Sequence, residues 1–135
     1  MENLNVLRLR INPYFFSILG LLHFCSCYTV ERDCINFHVG EFEFSSIVNG
    51  SLKTSYFKRT DKLEIETYEG KIDSASIRWV NDCECILTKL NPVSNQDMRP
   101  VQIKILSTTP DSYIFEYSMV GRSDNKQRGT IIKIN

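Results

Sequence analysis

From residue 41 onward, apolar side chains recur at every second position, the period of strands with one buried face. In Glu41-Phe42-Glu43-Phe44 the aromatics fall on one side and the carboxylates on the other. Lys62-Leu63-Glu64-Ile65-Glu66-Thr67 repeats the pattern, which predicts Leu63, Ile65 and Thr67 inward and Glu64 and Glu66 in solvent. Val101, Ile103 and Ile105 alternate with Gln102 and Lys104, and Tyr113, Phe115, Tyr117 and Met119 with Ile114, Glu116, Ser118 and Val120; the last run closes on Thr130, Ile132 and Ile134. Asn49-Gly50, Thr60-Asp61, Glu69-Gly70, Asn81-Asp82 and Pro110-Asp111 are compact turn signals between these runs. The one longer connection, Asn91 to Pro100, is too short for the crossover helix of a parallel sheet, so the strands are antiparallel. The prediction is an all-β chain of about eight strands in an antiparallel meander, forming a small up-and-down, lipocalin-like barrel or a sandwich.

The first thirty residues follow a different pattern. Arg8 and Arg10 precede the apolar run Tyr14 to Phe24, which leads to Cys25, Ser26 and Cys27. As a helix that run is about 16 Å long, short of the roughly 30 Å of hydrocarbon a spanning helix crosses, so it reads as a signal peptide. Phe24-Cys25-Ser26-Cys27 resembles a lipobox, the motif in which an apolar, a variable and a small residue precede a lipid-modified cysteine. This divides the chain into a helical signal peptide over 1–26, a tether over 27–35 beginning at a lipidated Cys27, and a β domain over 36–135. The diacylglycerol that such a cysteine carries would make the membrane a partner and the cell envelope (outer membrane or periplasmic face) the location, each buried methylene adding about 0.8 kcal/mol of anchoring.

Composition narrows the picture only a little. The 135 residues are 42% apolar and 24% charged, the balance of one ordinary globular domain. Sixteen basic residues offset sixteen acidic ones, so there is no basic stripe of the kind that nucleic-acid binding needs, and nucleic acid is not an expected partner. The roughly 110 residues after the signal peptide are enough for a domain to fold unaided.

The segments Gly40 to Phe44, Lys58-Arg59-Thr60-Asp61, Ile77 to Thr88 and Gly129 to Ile134 together resemble a family of small lipoproteins from Gram-negative bacteria of the Bacteroidota type with a lipocalin-like sheet. The resemblance runs from about Cys34 to the end and brings no activity with it. Cys34, Cys83 and Cys85 remain in the domain, and export favours one bridge, from Cys34 to either Cys83 or Cys85. The resemblance points to Cys83, because the family places an aromatic where Cys85 stands.

Residues with possible chemistry are few. Cys34, His38, Cys83 and Cys85 offer an alternative four-ligand metal set, although their spacing matches no familiar zinc site, and no cofactor is expected. His38 is the one histidine after the signal peptide and no hydrolase motif occurs, so catalysis is not expected. A non-catalytic, membrane-tethered interaction domain is the first reading, since small barrels usually fill their interiors. The alternative is a lipocalin-like carrier of a small apolar ligand lined by Phe42, Phe44, Leu63, Ile65, Trp79, Ile103, Phe115 and Tyr117. An enlarged cavity would favour the carrier.

Overall fold

The computed structural model describes residues 31–122 and 124–135, so the signal peptide and Cys27 lie outside the described residues. Eight strands follow in order: β1 (Gly40–Val48), β2 (Ser51–Arg59), β3 (Leu63–Tyr68), β4 (Lys71–Asn81), β5 (Glu84–Lys89), β6 (Val101–Thr108), β7 (Ser112–Met119) and β8 (Gln127–Lys133). Each pairs antiparallel with the next and β8 pairs with β1, closing an up-and-down barrel with no sandwich break. Asn49 and Gly50, and likewise Glu69 and Gly70, take positive φ, which gives their two-residue hairpin turns the twist that flanking strands require. At the seam Gly40 has φ +147°, and a Cβ there would lie 2.7 Å from the Asn135 carbonyl oxygen, so only glycine lets the chain end approach β1.

One end of the barrel is packed solid. Phe42 stacks on Phe57 at 5.1 Å between ring centroids, and Tyr113 meets Phe37 edge-on at 5.0 Å. Such pairs contribute about 0.5–1.5 kcal/mol each beyond the area they bury. Phe37 belongs to a short 3₁₀ turn, Ile35–Phe37, that covers this end. The Lys133 ammonium fastens the turn by donating to the Asn36 carbonyl at 2.7 Å, and a Cys34–Cys83 disulfide ties it to the β4–β5 turn. Arg32 also donates to the Ile105 carbonyl at 2.9 Å, so the described residues of the expected tether, 31–35, already pack on the barrel.

Two strands face the other way from their predicted phase. In β8, Ile131 is buried and Ile132 exposed, because Ile131 sits opposite inward Phe44 and Tyr113. In β3, Glu64 and Glu66 point inward while Ile65 is 41% exposed. The cause is Arg59. Directly opposed residues on antiparallel strands share a face, and β3 pairs Glu64 with buried Arg59 and Glu66 with buried Phe57. A guanidinium inside a barrel needs a counter-charge, and Glu64 supplies it.

Candidate functional site

The barrel is packed at the covered end and hollow at the other. Its inward residues in the hollow half form adjoining chambers that share lining residues: a deep one of about 260 Å³ lies against Phe44, Ser55, Phe57, Phe115, Tyr117 and Ile131. One of about 340 Å³ reaches the 90–100 loop past Leu87, Lys89, Asp97 and Val101. Another of about 300 Å³ runs toward the β1–β2 and β3–β4 hairpins past Ser46, Lys53, Tyr68 and Lys71. Glu66 lines all three. The two outer volumes lie at the lower end of the range for small-molecule sites and the deep chamber just below it, which suits a small ligand.

The floor of the deep chamber is a charged network. Arg59, 2% exposed, donates through Nε to Glu64 Oε2 at 2.8 Å, and its Nη1 donates to the Phe37 carbonyl at 3.1 Å and the Tyr113 hydroxyl at 3.2 Å. The guanidinium also lies 5.1 Å from the Phe42 centroid and 5.2 Å from that of Phe57. Burial opposes its charge, but the facing Tyr113 oxygen and the Glu64 carboxylate outweigh burial and hold its pKa above the ordinary value. Burial also pushes the Tyr113 hydroxyl up to about 12 and the Cys85 thiol up to about 11, so both remain protonated at neutral pH.

Higher in the barrel two of the rim cations are paired, whereas Lys71 and Arg99, which line the outer chambers, have no ion pair among the described residues. Lys89 bridges Asp73 at 2.9 Å and Asp97 at 3.7 Å, and Lys53 pairs with Glu69. Glu66 has no ion pair and no hydrogen bond of good geometry to its carboxylate among the described residues; burial, with Glu64 and Asp73 nearby, raises its pKa above the usual carboxylate value, and the adjacent Ser55 hydroxyl opposes the rise. Ser55 Oγ, in a residue 4% exposed, is buried without a hydrogen-bond partner. Buried polar atoms in folded proteins are nearly always satisfied, so an orphaned hydroxyl beside an unpaired carboxylate marks a place where a ligand or water would bind.

The structure gathers only part of the predicted lining. Phe44, Ile103, Phe115 and Tyr117 converge on the deep chamber. Leu63 and Ile65 do not, since the phase of β3 puts them outside. Phe42 is fully buried at the packed end, and Trp79 stacks on the His38 ring at 3.5 Å, away from the chambers. Sequence reasoning missed Ser55, Phe57, Arg59, Glu64 and Glu66; the available signal was the alternation of Ser55, Phe57 and Arg59 against Tyr56 and Lys58, which puts Arg59 in the apolar phase of β2.

The alternative metal set is not assembled. Cys34 and Cys83 are bonded to each other, His38 Nε2 donates to the Asp82 carbonyl at 2.8 Å, and Cys85 stays a buried thiol. No family model, curated protein or solved structure matches the chain. The functional reading therefore stands on the geometry of the barrel.

Proposed function

We propose that the protein is a non-catalytic carrier, tethered to a cell-envelope membrane through Cys27, that takes up a small amphiphilic ligand in the hollow half of its barrel. The single observation that carries this reading is the set of chambers meeting at Glu66, with aromatic and aliphatic walls, a few charged groups and an unsatisfied Ser55 hydroxyl inside. The apolar walls would remove a ligand's hydrocarbon from water, and a few fixed polar groups would orient it. The membrane tether rests on the sequence from Arg8 to Cys27.

A tethered interaction domain is the second reading. It is favoured by Ile47, Leu52 and Ile72, each at least 70% exposed beside the hairpin turns of the hollow end, where they offer an apolar surface to another protein.

Native mass spectrometry of the full protein, extracted gently from its host's membranes and compared with a denatured sample, separates the two. The carrier reading expects a non-covalent small-molecule adduct that denaturation removes. The same mass before and after, starting at an acylated Cys27, overturns the carrier and leaves the interaction domain.

A further inference from the structure

Resting on the carrier reading, the geometry points to the ligand's head group: we propose that the deep chamber binds a small apolar or aromatic molecule through a primary ammonium held by Glu66 and Ser55. Three observations converge on this chemistry. Glu66 is common to all three chambers and its carboxylate has no ion pair among the described residues. Ser55 Oγ is buried and unsatisfied, and Ser55 lies diagonally across from Glu66, on the same inner face of the β2–β3 pair. A primary ammonium has three donors and no acceptor, which suits a site that presents a carboxylate and a hydroxyl oxygen to it.

Among the described residues Arg59 is the one cation lining the deep chamber, and its pairing argues against an acidic head there. Arg59 is held by Glu64 at 2.7 Å and Lys89 by Asp73 at 2.9 Å. A ligand carboxylate in the deep chamber would meet Glu66 and Glu64 as like charges. The rings of Phe44, Phe57, Phe115 and Tyr117 complete the selectivity. They cover an apolar body, and the faces of such rings attract a cation. A quaternary ammonium would gain the ring contacts but could donate nothing to Ser55 or Glu66.

Three soluble probes of similar bulk test the assignment on the full chain by titration calorimetry: 2-phenylethylammonium, 2-phenylethanol and phenylacetate. The expected result is that the ammonium binds at least about tenfold more tightly than either of the others, the scale of one charge-assisted hydrogen bond. Glu66→Gln should bring the ammonium to within about twofold of the alcohol, and Ser55→Ala should weaken the ammonium several-fold while leaving the alcohol nearly unchanged. Equal binding of all three, or tightest binding of the carboxylate, overturns the ammonium site while the carrier reading survives. Binding of none overturns both. If Glu66→Gln does not fold, the order of the three probes on the native chain decides the matter alone.

Discussion

Arg59 and Glu64, opposite one another on β2 and β3, form an ion pair inside the barrel in which Nε and Nη2 of the guanidinium share one carboxylate oxygen at 2.8 and 2.7 Å. The pair sits where the packed half meets the hollow half, and it sets which face of β3 looks inward.

Breaking that pair should be costly. Glu64→Gln leaves a buried guanidinium without its counter-charge, and the expected loss is about 3–5 kcal/mol, because removing one partner strands the other. The double variant Arg59→Met with Glu64→Leu should recover most of it, since an apolar pair of similar volume has no charge to desolvate. Urea unfolding of the single and double variants checks both. A double variant no more stable than Glu64→Gln would mean that the pair does more than neutralise itself.

The Cys34–Cys83 bridge spans a sequence separation of 49 and ties the 3₁₀ turn to the barrel. On chain entropy, Cys83→Ser should cost on the order of 4 kcal/mol. Denaturation of the oxidised protein against this variant measures the difference. Ligand binding should survive in the folded variant, because the bridge lies at the end of the barrel away from the chambers.

Glu66 should make stability depend on pH. Its pKa in the folded barrel is raised above 4.5 by burial first, with the Glu64 and Asp73 charges adding to it and the Ser55 hydroxyl and Lys89 opposing it. A raised carboxyl favours the neutral folded form, so its contribution is fully present below pH 4.5 and is lost as pH rises through the folded value. Without ligand, Glu66→Gln should therefore melt higher than the native chain at neutral pH and converge with it below the carboxylate range. Thermal melts at a series of pH values test this, and a constant offset would argue against a shifted Glu66.

Gly129 is a test of the cavity's shape. A Cβ there would stand 2.6 Å from a ring carbon of Phe44 and 2.9 Å from one of Phe115, so Gly129→Ala must push rings that line the deep chamber. The expected cost is about 1–3 kcal/mol of stability, as for other overpacked interiors, together with weaker binding of any ligand in that chamber. Unfolding and titration of the same variant read the two effects separately.

Much of the fold was legible from residues alone. Strict alternation around Phe42 and Phe44, and around Tyr113, Phe115 and Tyr117, fixed period and phase together, and Asn49-Gly50 marked a hairpin whose positive φ values the structure contains. Alternation fails where both phases carry plausible core residues. In β8, Ile131 and Ile132 compete and only the partner strands decide. In β3, Leu63 and Ile65 look like the buried set, but a charge on the neighbouring strand outweighs two aliphatic side chains, and that relationship exists only once strands are paired. The candidate site was hidden for the same reason, since Ser55 and Glu66 are joined by register and not by sequence.

The β1–β8 seam bears on how the chain reaches its final form. Every other ladder joins strands that follow one another, whereas Phe42, Glu43 and Phe44 pair with Lys133, Ile132 and Ile131, about ninety positions away. Closing so long a loop carries the largest entropic cost of any pairing in the barrel, and the reward arrives only when both ends are in place. The meander can assemble from neighbouring hairpins, but the Glu41 amide meets the Asn135 carbonyl at 2.9 Å only when the last residue of the chain has arrived. Substitutions at Gly40, where a Cβ would obstruct that meeting, should slow refolding more than those in any hairpin turn, which stopped-flow refolding measures.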